Sequence, residues 1–162
     1  MLSLPQMKIN VTIETEYKRL VYPIWLRAVA LLALTAEKAG HKIEMDILIT
    51  GDEKVHRLNR EYLQEDRPTD VLSFSMLESS AQNTPFVSPP DSTVQLGEII
   101  ISYPQAFKQA REHYHSPEKE IATLLVHGIL HLLGYDHDIP EREQVMHERE
   151  GAIMRIVEAR AL

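Results

Sequence analysis

The chain has 162 residues, of which 44% are hydrophobic, carries a formal net charge of −7 and contains no cysteine. That length fits one domain spanning residues 1–162, and the composition can fill one hydrophobic core. The missing cysteines exclude disulfide partners and thiolate metal ligands, while the acidic balance lacks the basic footprint typical of nucleic-acid-binding proteins. The start of the chain lacks a secretory pattern, and its early apolar run, residues 24–36, is too short to cross a bilayer. We therefore expect a cytoplasmic protein without a membrane segment.

Strand and helix patterns alternate in the first half of the chain. Period-two alternation predicts strands at residues 8–13 and 43–50, the second with its odd-numbered side chains on an apolar face. A helix is expected over residues 24–39 and ended by Gly40. A second helix is expected over residues 52–62, capped by its leading aspartate.

A long polar segment separates the next two predicted strands. These are a short strand at residues 71–74 and a more apolar, central one at residues 96–102. Residues 77–95 between them are rich in serine, proline, asparagine and aspartate, which indicates a flexible surface loop. That loop is either a tolerated insertion, the interpretation we favour, or a lid over a site.

Three helices are predicted after the central strand, at residues 103–113, 117–133 and 140–161. Ser116 and Pro117 are typical of the N-cap and the first position of the middle helix. The apolar stripe of the last helix is expected from Val145, Ile153, Ile156 and Val157. This order of elements predicts an α+β fold, with helices packed on a small mixed four-stranded sheet.

The strongest chemical signal is the sequence His-Gly-Ile-Leu-His-Leu-Leu-Gly-Tyr-Asp-His at residues 127–137. His127 and His131 are four residues apart and therefore share one face of the helix. A turn at Gly134 would let His137 return to the same point. Three imidazoles with a fourth position left open are typical of a catalytic zinc site, although nickel, cobalt or copper also suit nitrogen ligands.

Two other interpretations of this motif have to be weighed. Metalloproteases with the same histidine spacing carry a glutamate, their general base, directly after the first histidine. Gly128 occupies that position here, which disfavours peptide hydrolysis unless another carboxylate reaches the metal. A purely structural role would place three imidazoles in an apolar setting, at roughly 1–3 kcal/mol for each one left without a partner.

The general base is not identified by the sequence. Asp136 and Glu98 are the carboxylates that we consider first for proton transfer. Asp136 could equally orient a ligand histidine by a hydrogen bond rather than move a proton.

Three stretches together resemble the YbeY family of endoribonucleases, which mature ribosomal RNA. They are residues 127–137, Pro-Thr-Asp-Val-Leu-Ser-Phe at 68–74 and Leu-Gly-Glu-Ile-Ile-Ile at 96–101, and the resemblance spans about residues 45–156. It implies a zinc-dependent endoribonuclease that cuts single-stranded RNA in 16S 3′-end maturation and ribosome quality control, with the ribosome and its proteins as partners. The alternatives are a metalloprotease-like amide hydrolase and a ribosome-assembly factor whose metal is structural.

The chain lacks one positively charged residue that members of the resembling family usually carry. That residue is an arginine directly after the tyrosine of Leu-Asn-x-x-Tyr, whereas Leu63 follows that motif here. Phosphoryl chemistry needs a positive charge besides the metal. Arg57 and Arg60 are our candidates for substrate binding, with Arg67 as a further possibility, although a solvated helix face is the simpler reading. The remaining histidines lack ligand spacing and are predicted to be surface residues: His41, His56, His113, His115 and His147.

Overall fold

The computed structural model describes residues 6–65, 67, 69–77 and 92–162. Four strands lie in these ranges: β1 (Gln6–Ile13), β2 (Lys42–Thr50), β3 (Val71–Ser75) and β4 (Val94–Ser102). Five helices are described over their whole length: α1 (Pro23–Ala36), α2 (Asp52–Leu63), α3 (Tyr103–Glu112), α4 (Pro117–Leu132) and α5 (Pro140–Arg160).

The strands form one mixed sheet in the order β1-β2-β4-β3. β2 pairs in parallel with both β1 and β4, and β3 pairs antiparallel to β4 at the edge. Parallel neighbours need a crossover, and α1 supplies it between β1 and β2. The predicted α+β fold with helices on a four-stranded mixed sheet is therefore confirmed.

The two faces of the sheet carry different helices. The odd-numbered residues 43–49 of β2 and Ile99 and Ile101 of β4 join the large core that also takes side chains from α1 and α4. Leu72 and Ile100 point the other way and pack with Val55 of α2 in a smaller cluster. A residue's parity along β3 and β4 thus decides whether it faces α4 or α2.

Two of the predicted helix boundaries were wrong. α1 ends at Ala36 rather than Ala39, and Lys38, with φ of 51°, turns the chain before Gly40 is reached. The N-cap of α2 is Gly51, not Asp52. Asp52 is instead engaged in a tertiary contact, because its Oδ1 accepts a hydrogen bond from the Ser102 hydroxyl at 2.6 Å.

The predicted stripe of α5 was half right. Ile153 and Val157 are buried, whereas Val145 and Ile156 are 51% and 36% exposed. Met146 and Met154 take the inward positions instead. The long, unbranched methionine side chains fill the core at these positions, although the sequence pattern predicts that the branched residues near them, Val145 and Ile156, point inward.

The predicted surface loop at residues 77–95 lies mostly outside the described residues, which exclude 78–91. Its predicted end was wrong, because Val94 and Gln95 already pair with β2 as the start of β4. In the part of the chain that the structure describes, no helix combines the length and apolarity that crossing a bilayer requires.

Helix α4 lies at the centre of the fold and is buried on most sides. Its buried residues are Glu120, Ile121, Ala122, Leu124, Leu125, Val126, Gly128, Ile129, Leu130 and Leu132. The helix begins as predicted, since the Ser116 hydroxyl caps it by accepting a hydrogen bond from the Lys119 amide, and Pro117 follows at the first position.

Gly128 is the point at which α4 touches the sheet most closely. A Cβ atom at this position would lie 3.0 Å from both Ile99 Cγ2 and the Ser73 hydroxyl. These neighbours belong to adjacent paired strands, so a side chain at position 128 would require both of them to shift by a few tenths of an ångström. Packing therefore favours glycine at this position.

We expect Gly128→Ala to lower the free energy of unfolding by about 1–2 kcal/mol, because overpacking against β3 and β4 outweighs the helix propensity gained. Denaturant unfolding measures the change. Gly151→Ala in α5 is the matched control, since nothing lies within 4 Å of its would-be Cβ, and it should stabilise by about 0.5–1 kcal/mol. Equal stabilisation by both substitutions would contradict the packing argument.

Candidate metal centre

The three histidines of residues 127–137 meet at the C-terminal end of α4. His127 and His131 lie on its last turns and His137 on the segment that follows. One ring nitrogen from each lies within 4.8 Å of the others. The ring centroids are 4.6 Å apart for His127 and His131, 5.0 Å for His131 and His137, and 5.9 Å for His127 and His137. The structure thus brings the predicted ligands to one point.

The turn that returns His137 to the helix depends on Gly134. This residue has φ of 100°, a left-handed conformation that glycine adopts without steric cost. Its amide donates to the His131 carbonyl at 3.0 Å, and the Tyr135 amide donates to the Leu130 carbonyl at 3.0 Å. These bonds close the end of α4 and direct the chain back toward its own last turn.

Tyr135 anchors this returning segment to the helical layer. Its hydroxyl donates a hydrogen bond to Glu37 Oε2 at 2.7 Å, and Arg149 Nε donates to Glu37 Oε1 at 2.7 Å. The side chain of Glu37 is only 7% exposed, so the pair with Arg149 is largely shielded from water. The hydrogen bond to Glu37, with burial, raises the pKa of Tyr135 and keeps its phenol protonated as the donor. Residues from α5 and the end of α1 thereby help to fix the position of His137.

Glu150 of α5 orients the first ligand, a role that the sequence did not reveal. Its Oε1 is hydrogen-bonded to His127 Nδ1. A carboxylate can only accept, so the proton of the neutral ring lies on Nδ1 and the lone pair of Nε2 points inward. That Nε2 lies 3.1 Å from His131 Nε2. Two nitrogens bound tetrahedrally to zinc at 2.0–2.1 Å are about 3.3 Å apart, so the donor set fits such an ion.

The protonation of His131 also suits metal binding. Burial lowers the pKa of this imidazole, and the neighbouring rings of His127 and His137 lower it further. Ligation requires the neutral ring, because a protonated nitrogen has no lone pair to offer. The lowered pKa therefore favours the neutral His131 ring, which can bind a metal ion, at neutral pH.

A cleft of about 460 Å³ opens over the histidines. It is lined by residues from α2, β3, the end of α4 and the segments between them: Asn59, Leu63, Glu65, Arg67, Thr69, Asp70, Val71, Leu72, Ser73, Ser75, His127, His131, Leu132 and His137. Buried Asn59 supports the rim, because its amide nitrogen donates to the Arg67 carbonyl at 2.9 Å. Two of the three stretches that carry the family resemblance, residues 68–74 and 127–137, thus contribute side chains to this cleft.

The predicted substrate-binding arginines do not line this cleft. Arg57 and Arg60 lie on α2 along a separate groove whose other charged residues are mostly acidic, including Glu14 and Asp52. Their contact with substrate remains a prediction that the histidine cleft does not support. Arg67, considered as the further possibility, is the arginine among the described lining residues of the cleft. It pairs with Glu65 at 2.8 Å and is 72% exposed.

Neither carboxylate considered for proton transfer is held against a ligand histidine. Glu98 pairs with Phe74 in the sheet and lines a pocket with Leu48 and Leu58 on the α2 face, away from α4. Burial, followed by Asp46, raises the pKa of Glu98. Asp136 accepts a hydrogen bond from the His137 amide at 2.7 Å, so it shapes the ligand-bearing segment through the backbone.

The comparisons with known proteins agree with this site. The sequence profile of the family described as Endoribonuclease YbeY matches residues 8–158. A relative named Endoribonuclease YbeY from Dehalococcoides mccartyi is 46% identical over 92% of this chain and 96% of its own length. Another of the same name, from Roseiflexus castenholzii, is 50% identical over 79% of this chain and 78% of its own.

A solved structure is similar in fold. The solution structure of a protein from Thermotoga maritima has a TM-score of 0.58 and 23% identity, and the match covers 94% of this chain and 89% of that one. At this identity the likeness shows the fold alone.

We expect Glu150→Gln to weaken zinc affinity by about 10- to 100-fold, because the amide is a weaker, uncharged acceptor for the proton on His127 Nδ1. Competition with a chromophoric chelator measures the affinity. Glu148→Gln is the matched control, since Glu148 is an exposed residue of the same helix whose Oε1 accepts a hydrogen bond from Gln144 at 3.3 Å. Indistinguishable affinities in the two variants would rule out the orienting role.

Proposed function

Because the chain belongs to the YbeY endoribonuclease family, we propose that it is a zinc-dependent enzyme that cuts single-stranded ribosomal RNA. Family membership assigns it an endoribonuclease role in RNA processing, which is a hydrolytic nuclease activity. The finer proposal is maturation of the 16S 3′ end and ribosome quality control in the cytoplasm, with the ribosome and its proteins as partners.

The observation that carries the proposal is the position of the three histidines at the floor of an open cleft. A structural zinc site is closed by four protein ligands, whereas a catalytic site keeps a position open. Among the described residues, His127, His131 and His137 form the whole ligand group at this point. Their shared cleft gives an extended polymer access from solvent.

The residues that would hold the ion are His127, His131 and His137, and the bound ion would supply Lewis-acid chemistry by polarising a phosphoryl oxygen and acidifying water. The chain contributes orientation through Glu150 and Tyr135. It also contributes charge, because the exposed guanidinium of Arg67 at the cleft can face the negative charge that develops on a phosphoryl group.

The position of Leu63 shows where the arginine that family members usually carry would lie in this structure. This side chain lines the same cleft as the histidines, so the position at which family members usually carry an arginine belongs to the cleft. Leucine offers no charge there, and Arg67 is four residues further along the same rim. We assign to Arg67 the electrostatic role that the resemblance places at position 63.

Peptide hydrolysis is disfavoured by packing as well as by sequence. The position that holds the general base in metalloproteases of this histidine spacing is Gly128 here. A Cβ atom there would lie 3.0 Å from Ile99 and Ser73, so a larger side chain would require these neighbours to shift.

We expect His131→Ala to abolish cleavage of a single-stranded fragment of ribosomal RNA while RNA binding stays measurable, since the substitution removes a ligand and leaves the cleft rim intact. Gel assays with metal-loaded protein measure cleavage, and fluorescence anisotropy measures binding. His41→Ala, at an exposed histidine, should cut like the wild type.

Two results would overturn the nuclease proposal. If neither the wild type nor His131→Ala cuts RNA and both bind it alike, the chain acts as an assembly factor with a structural metal. If a peptide library is cleaved and RNA is not, the amide-hydrolase alternative is correct.

We expect Arg67→Ala to lower kcat for RNA cleavage by about 100-fold with a smaller change in KM, because a charge that acts on the transition state is lost. Arg67→Lys should retain part of the rate, since it keeps the charge without the planar donor pattern. Steady-state kinetics on a short labelled RNA separate the two constants. Arg155→Ala, at an exposed arginine outside the cleft lining, serves as the control; equal losses in both variants would indicate non-specific charge effects.

A further inference from the structure

A second group of metal-ligating side chains lies at the opposite end of α4. His113 and His115 belong to the short connection between α3 and α4, and Glu120 lies on the first turn of α4. One ligand atom from each residue lies within 4.8 Å of the others. The sequence had placed both histidines among surface residues, and for His115 this was wrong, because its side chain is only 22% exposed.

Glu120 is the unusual member of this group, because it is a carboxylate with a side chain only 5% exposed. Both histidines contact the same oxygen: His113 Nδ1 lies 3.3 Å from Glu120 Oε2, and His115 Nε2 is also hydrogen-bonded to it. Among the described ion pairs, Glu120 is joined to no lysine or arginine; its neighbour Lys119 pairs with Glu158 instead. A buried carboxylate needs a compensating positive charge, so its partners decide what it can do.

We propose that His113, His115 and Glu120 form a second site for a divalent transition-metal ion of the zinc class. Two imidazole nitrogens and one carboxylate oxygen are a ligand set that zinc uses, with water able to complete the coordination. The 3.3 Å between His113 Nδ1 and Glu120 Oε2 equals the edge of about 3.3 Å expected for two ligands held tetrahedrally at 2.0–2.1 Å. The side chain of His113 is 57% exposed, so an ion reaches the site from solvent.

This site is separate from the histidine cleft. Seven residues separate Glu120 from His127, which corresponds to about 10 Å along the axis of a helix. None of the three residues lines the cleft. The inference therefore does not depend on the nuclease activity.

A metal ion at this site would join two neighbouring elements of the fold. An ion held by His113, His115 and Glu120 ties the connection after α3 to the first turn of α4. It also neutralises the carboxylate in the interior. Because it would bind the folded chain and not the unfolded one, it stabilises the helix that carries His127 and His131 at its other end.

The competing explanation is a proton. One histidine could become an imidazolium and compensate Glu120 without any metal, since both rings already contact the carboxylate. The two explanations differ in one measurable quantity, which is the number of ions that the chain binds.

The test counts zinc ions per chain by elemental analysis after equilibrium dialysis against buffered free zinc. We expect two ions for the wild type and one each for His113→Ala and His131→Ala. The double variant His113→Ala/His131→Ala should bind none. His41→Ala, which changes an exposed histidine outside both groups, should keep two. His113 is preferred over Glu120 as the target because an exposed side chain can be removed without disturbing the core.

A second measurement guards against loose surface binding. Zinc should raise the Tm of His131→Ala, in which the first site is broken, and should leave the Tm of the double variant unchanged. One ion in the wild type and none in His131→Ala would overturn the proposal in favour of the proton. An unchanged count in His113→Ala, or an equal Tm shift in the double variant, would also overturn it.

Discussion

The contact between α4 and the sheet at Gly128 is the constraint on which the rest of the structure depends. Glycine lets the helix approach so closely that a Cβ atom there would lie 3.0 Å from Ile99 Cγ2 and the Ser73 hydroxyl. That approach fixes the rotation of α4 about its axis, because the face bearing Gly128 must meet β3 and β4. His127 and His131 are then directed toward the cleft that α2, β3 and the end of α4 line. A second glycine helps to position α4 on the sheet. Gly97, with φ of 137°, allows β4 to pass close to the Phe74 carbonyl and to the Leu132 side chain of α4.

The metal centre is assembled from elements that are distant in sequence, and each makes a different contribution. α4 supplies two ligands, and the turn at Gly134 brings back the third. α5 supplies Glu150, which selects the tautomer of His127, and Arg149, which holds Glu37 against Tyr135. Neighbours that hold a ligand in place by hydrogen bonds reduce the cost of ordering it when an ion binds. The site is therefore preorganised by ordinary hydrogen bonds and helix packing.

The acidic net charge of the chain makes RNA binding depend on where its cations lie. The described lining of the cleft carries Arg67 beside the acidic Glu65 and Asp70, and the groove of Arg57 and Arg60 also has more acidic than basic lining residues. An endoribonuclease needs positive charge at the point of chemistry more than over its whole surface. Position 63 carries leucine, and the arginine in the described lining of the cleft is Arg67, four residues further along the chain.

The sequence by itself determined the features that arise from local periodicity and short motifs. These include the strands, the N-cap at Ser116, the left-handed turn at Gly134 and the three histidines, because helix geometry places residues four apart on one face. The tertiary structure decided which residues from other elements meet them. Glu150 and Arg67 carry no spacing signal relative to the histidines, so their roles depend on how α5 and the segment after α2 pack around α4. Glu98 could be excluded only once the parity of β4 was known, and the group of His113, His115 and Glu120 spans a turn that no periodic pattern describes. Long-range packing brings such residues together, and a pattern read along one element does not contain that information.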